Sequence, residues 1–297
     1  MNFHTLKAVL SLFLSLGSFL FLMSYTLPNG KELPSEIRIL LDKAEDQRCA
    51  ANYAGSITSL EAAQKSYQAR DMTLEALELY DKILWIAIDT DFDDAAFLQR
   101  YRRAEKEINA HLKQYPQLKA ILHLAILQKT WIDNNLERAE KTYQELQAHL
   151  KQYPNWDYEA AAASHMANVY AYCTWEATKC GEFAELSIHL VKKNTSNLVE
   201  KDKHLYRLYP YYMYYNYDNV GSVELYDRRD EEACLKAYNN ALDDLGQQRA
   251  SDSLHYSNTL IKIGNIYTFR EEEDKAIEYF ENALTYIPLR MKLSIAE

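Results

Sequence analysis

The chain has 297 residues, 48% hydrophobic and 26% charged, which is enough to fold as one extended array or two compact domains. Only 7 Gly and 6 Pro leave little turn chemistry for a many-stranded β-protein. The formal net charge of -10 gives a surface that repels phosphate backbones, so a nucleic-acid partner is disfavoured and none is expected.

Lys7 is followed by an apolar run over residues 8–23, broken only by Ser and Gly. A run of about 16 residues is short for a membrane span, which needs roughly 20, and fits the core of a signal peptide. Residues 1–26 are therefore expected to be a signal peptide or an N-terminal membrane anchor, with Ser24 and Thr26 at its exit. No Cys follows the run, so no lipid-modified cysteine is expected there. The protein is expected to be exported (periplasm or cell surface), or tethered with that segment as its only membrane contact. Residues 27–34, with Pro28, Asn29, Gly30 and Pro34, read as a linker.

Ser35 with Glu36 opens a first helix that runs to about Asn52. From there helix follows helix through residue 297. Breaks are expected near Asp71, 89–91, Pro116, Asn134, Pro154, Gly181, 194–196, 228–230, 246–251 and 270–272. That pattern predicts about a dozen helices in six antiparallel pairs, all in one domain over 35–297.

Self-similarity organises those helices. In SNTLIKIGNIYTFREEEDKAIEYFENALTYIP, Leu260, Ile263, Gly264 and Tyr267 are followed by Ala276, Phe280, Ala283 and Pro288. Gly264 and Ala276 suit a close crossing of two helices, Tyr267 and Phe280 fill the space beside it, and Pro288 stops the second helix. Degenerate copies lie upstream: Leu60, Ala63, Tyr67, Ala76, Tyr80 and Ile83; Ala139, Tyr143 and Leu146; Cys234, Tyr238 and Ala241. The heptapeptide AHLKQYP occurs literally twice, at 110–116 and 148–154, each time after Ala-Glu-Lys. The basic His111 and His149 then fall at equivalent helix ends, where the macrodipole favours them.

This spacing resembles the tetratricopeptide repeat family, in the long-period form of bacterial exported and signalling proteins. Ala241 and Ala283 stand 42 positions apart, longer than the basic unit of about 34. The resemblance implies an all-α, right-handed superhelical solenoid whose groove captures peptides or protein surfaces. It implies a groove position for Asn265, beside Gly264 and near Lys262, and likewise for Asn168 next to Ala167. Family members that grip a C-terminal carboxylate carry a basic residue where Ile261 stands here.

Catalytic chemistry finds no foothold in the spacing. The eight His are scattered without a metal-ligand pattern, and no phosphate loop or nucleophile elbow is present. No cofactor, metal or enzymatic activity is expected. The acidic runs at 91–94 and 271–274 read as first-turn helix acids. Cys49, Cys173, Cys180 and Cys234 permit disulfides in an exported chain, with Cys173 and Cys180 placed to meet across a turn, but small buried thiols fit them better.

The densest unusual feature is the tyrosine run YRLYPYYMYYNY at 206–217, part of an excess of 24 Tyr. Tyr on nearly every face of one helix sends some away from the core, and Tyr is rich in recognition surfaces. Tyr211, Tyr214 and Tyr215 are the first candidates for a protein-binding site, with filling of gaps between helices as the rival role. The nine residues after Pro288 are too few for a polar capping helix, which leaves the last repeat open to a partner or to self-association. The functional expectation is a non-enzymatic scaffold that holds other proteins or peptides. The alternative is the input region of a signalling protein that lacks its output domain.

Overall fold

The structure, a computed structural model, describes residues 33–49, 52–90, 94–196, 209–246 and 253–286. The apolar leader, the linker before Leu33 and everything from residue 287 onward lie outside the described residues.

Among the described residues there are twelve α-helices and no strand. They are α1 (Ser35–Cys49), α2 (Tyr53–Gln68), α3 (Thr73–Thr90), α4 (Asp94–His111), α5 (Lys119–Ile132), α6 (Leu136–Gln152), α7 (Trp156–Val169), α8 (Ala177–Thr195), α9 (Tyr209–Val223), α10 (Glu231–Gly246), α11 (Ser253–Phe269) and α12 (Glu273–Tyr286). The expected dozen helices and the all-α class are found.

Local chemistry sets the starts. Asn52, Asn135 and Asn155 cap α2, α6 and α7 by accepting backbone N–H groups of the first turn, at 3.1 Å for Gly55, 3.1 Å for Arg138 and 3.0 Å for Asp157. Asp230 does the same for α10 through the N–H of Ala233, at 2.9 Å. Stripes set the packing faces. On α6, Ala139, Thr142, Leu146 and Leu150 are buried while the residues between them are largely open.

Each helix packs on its chain neighbour, and α3, α5, α7 and α9 also stack side by side in a row. The two AHLKQYP copies share one bond at the ends of α4 and α6, since Tyr115 and Tyr153 each donate their N–H to the carbonyl of His111 or His149 at 2.9 Å. From α5 onward the row sets a pairing of α5/α6, α7/α8, α9/α10 and α11/α12, while the repeat copy at residues 60–83 falls on α2 and α3, which form a hairpin of their own.

Among the described residues, five other than Gly take a positive φ, and all lie in turns between consecutive helices: Asp71, Asn134, Trp175, Arg229 and Glu271. At Asp71, Asn134 and Glu271 the turn closes as a Schellman motif. The following N–H bonds back to Tyr67, Thr130 and Tyr267 at 3.1, 2.9 and 2.9 Å respectively. At Trp175 and Arg229 the turn is one residue wider and of π type, with Glu176 reaching Tyr170 at 3.0 Å and Asp230 reaching Glu224 at 2.9 Å. Asp71 joins α2 to α3, so α3 packs as a hairpin with the helix before it as well as standing in the row.

The break expected near Gly181 is absent. Gly181 is buried inside α8, and the chain turns earlier, at Trp175. Gly181 faces α9, and a Cβ there would meet Val223 at an ordinary contact distance of 3.8 Å. Two other glycines carry the closest helix crossings: a Cβ on Gly221 or Gly264 would sit 2.5 Å from the Tyr238 ring or 2.6 Å from the Phe280 ring. The Gly264 crossing was legible from the repeat, and Gly221 is its counterpart in α9/α10.

Cys173, Cys180 and Cys234 are free thiols, and the Cys49 side chain lies outside the described residues. Burial pushes Cys180 and Cys234 up to about 12, with the Asp218 carboxylate adding to the shift, so both stay protonated near neutrality.

Candidate functional site

Polar contacts recur along the row of first helices. At its start Gln128 on α5 donates to the backbone carbonyl of Trp85 on α3, at 3.3 Å. Asp81 and Trp85 on α3, Leu124, Ala125 and Gln128 on α5, and His165 on α7 enclose a cavity of about 10 Å³, the size of one water site. Burial drives the His165 imidazole down to about 3, so the ring is neutral in the folded chain.

One turn further along α7, Asn168 is buried and its Oδ1 accepts from Nδ2 of Asn219 on α9, at 2.8 Å. The neighbouring Asp218 pairs with the ammonium of Lys262 on α11. Asn168 and Lys262, two of the residues expected from the sequence, thus meet consecutive residues of α9. Asn265, one turn on from Lys262, is exposed. Lys262 is itself more than a third exposed and lies over the Tyr238 ring, at 5.7 Å. A cation and an amide are therefore open to solvent beside these buried polar contacts.

The tyrosine run falls one turn earlier on α9. The Tyr211 side chain lies outside the described residues. Tyr214 is buried and packs edge-on against His255 of α11, with ring centroids 4.5 Å apart. Tyr215 is half-buried, its hydroxyl 3.3 Å from Nε2 of the same histidine. Both rings help seal α9 against α11, as part of a small core with Met213, Tyr217, Ala241 and Leu245.

The aromatic surface that the sequence reading missed is at the turns after α7 and α9. Tyr172 and Tyr226 are 59% and 58% exposed, and Trp175 is 43% exposed. Trp175 meets Tyr226 edge-on at 6.2 Å, joining two successive hairpins, and Tyr172 packs at a tilt on Trp131 of α5 at 5.3 Å. Burial of part of the Tyr172 phenol raises its pKa, with the Asp218 carboxylate contributing next. The signal in the sequence was a bulky residue at a turn position. Left-handed turns favour Gly or Asn, and a Trp there marks a side chain held outward.

Rings, an amide and a partly open ammonium over buried polar contacts suit adhesion to a peptide or protein surface. Among the described residues, no group of three or more His, Cys, Asp or Glu side chains is placed to hold a metal ion, and no helix is long and apolar enough to cross a membrane. No family model matches the chain, and no curated protein matches it.

Proposed function

We propose that this chain is a non-enzymatic scaffold of tetratricopeptide type, a right-handed array that holds a protein or peptide partner along its row of first helices. The observation that carries this reading is the outward-facing set Tyr172, Trp175, Tyr226, Lys262 and Asn265. It is borne on consecutive hairpins α7/α8, α9/α10 and α11/α12, and its inner ends are fixed by Asn168–Asn219 and Asp218–Lys262. Repeats that present rigid aromatic and amide groups from successive hairpins suit an extended ligand, because one contact recurs per repeat. The apolar leader directs the array beyond the membrane or holds it there.

The test is affinity capture from membrane and exported fractions. One bait is the full chain, and the other is the full chain with Tyr172, Tyr226 and Asn265 changed to Ala. Tyr172 and Tyr226 also touch Trp131 and Trp175, so capture is run well below the melting temperature of the variant, with its helicity checked by circular dichroism. A protein retained by the first bait and lost from the second supports the scaffold and this face. Equal retention removes the face. No specifically retained protein removes the scaffold and leaves the input-region reading.

A further inference from the structure

The hairpins α9/α10 and α11/α12 superimpose in sequence: Cys234, Tyr238 and Ala241 recur as Ala276, Phe280 and Ala283, and each aromatic covers the glycine of its first helix. Carrying the same 42-residue offset outward maps Leu235 onto Ile277 and Leu242 onto Leu284. The environments of these pairs differ sharply. Leu235 is 6% exposed, because α11 lies across it and a core forms from Cys234, Leu235, Tyr238, Ile263 and Ile266, with Leu242 and Tyr267 packed against it. Ile277 and Leu284 are 53% and 54% exposed. The charges repeat as well. Arg270, at the end of α11, holds Glu231 at 2.7 Å and Glu232 at 2.8 Å in the first turn of α10. Their counterparts in the first turn of α12, Glu273 and Asp274, have no ion pair among the described residues.

We infer that the outer face of α12 is a docking site for one amphipathic helix of a partner protein. That helix carries apolar residues at i, i+3 and i+4 and an Arg or Lys at i+7. It repeats what α11 presents to α10, namely Ile263, Ile266, Tyr267 and Arg270. The apolar positions cover Ile277 and Leu284, and the cation reaches Glu273 and Asp274. A second copy of this chain fits poorly, because α12 against α12 gathers Asp274, Glu278 and Glu281 of both chains into one interface. The exposed face of α1, around Ile39, lacks the pattern too. The sequence LRMKLSIAE that follows Pro288 alternates with period two and does not supply it.

The probe is a fluorescein-labelled peptide with the sequence of residues 253–270, titrated with the full chain and read by anisotropy. Saturable binding is expected. The dissociation constant should rise about tenfold or more when Ile277→Glu and Leu284→Glu are combined, a change to exposed side chains that leaves circular dichroism and melting intact. An Arg270→Glu peptide should bind several-fold more weakly and recover on a chain carrying Glu273→Lys and Asp274→Lys. No saturable binding, or binding indifferent to Ile277 and Leu284, overturns the site. Binding that appears only after residues 287–297 are removed overturns it in favour of the chain's own segment. A dimer lost on the double substitution overturns it in favour of a second copy. None of these outcomes bears on the groove face.

Discussion

Two first helices, α7 and α11, show what position in the stack does to a helix. From Ala160 to Tyr170 every residue at the end of α7 is buried, with α5, α6, α8 and α9 all packed on it. On α11 only one face is covered: Leu260, Ile263 and Ile266 are buried, while Asn258, Asn265, Thr268 and Phe269 are exposed. An interior helix surrounded by four others needs small side chains all round, which is why α7 carries four consecutive alanines. A helix near the end of the row keeps the aromatic and glycine positions of a single hairpin and leaves a polar face free.

The largest test of that contrast is volume. Ala162 on α7 has no exposed surface, so Ala162→Leu should cost about 1–3 kcal/mol, whereas Asn265→Leu on α11 should stay within about 0.5 kcal/mol. Urea midpoints followed by circular dichroism decide it, and equal shifts would mean that α7 has more room than its burial implies. The buried polar contacts offer the next effect. Asn219→Ala strands the Asn168 carbonyl oxygen in the core, at a cost of about 1–3 kcal/mol, while a double change of both Asn to Leu should cost much less than the two single changes summed. At the α11 end, Lys262→Met leaves the buried Asp218 carboxylate without its ammonium, so it should cost at least as much as the Asn219 change.

A third difference is titration. His165 on α7 is neutral when folded, with its pKa lowered by burial, and protonates freely when unfolded. The unfolded state therefore binds more protons below about pH 6.5, so folding stability falls as pH drops from there toward 3. This one residue should add a slope of up to about 1.4 kcal/mol per pH unit within that window. His123 and His149, both lowered mainly by burial, act in the same direction. Stability curves at pH 7 and pH 5 for the wild type and His165→Gln isolate the contribution. If the variant loses as much stability as the wild type between those values, His165 is not the source.

What could be read from the sequence follows the same division. The α11/α12 hairpin was legible residue by residue, because Gly264 under Phe280 and Ala276 beside Ala283 are the tight crossing itself. The helix count and most breaks were legible from Pro116, Pro154 and the Asn and Asp turn residues. The middle was not, because α7 meets its neighbours through alanines, and alanine carries no directional signal. Of the candidate residues, Lys262 and Asn168 proved joined through α9, a link no spacing rule gives because it spans three helices. Tyr214 looked like surface because Tyr filled its helix, yet His255, 41 positions later, covers it.

The smallest effects lie in the turns that end these two helices. Glu271 after α11 and Trp175 after α7 both sit in the left-handed region, at φ 60 and 53. A side chain with Cβ is strained there by about 1–2 kcal/mol, and glycine removes that strain while adding about 0.5–1 kcal/mol of unfolded-state freedom. At Glu271 the side chain is exposed and the Schellman bonds belong to the backbone, so Glu271→Gly should stabilise the array by about 0.5 kcal/mol. At Trp175 the same relief is set against the edge-on contact with Tyr226, and aromatic pairs contribute about 0.5–1.5 kcal/mol. Trp175→Gly should therefore leave stability unchanged or lower it. Matched melting curves for the two variants read this directly. A gain at Trp175 equal to that at Glu271 would show that the indole contributes nothing to joining the hairpins.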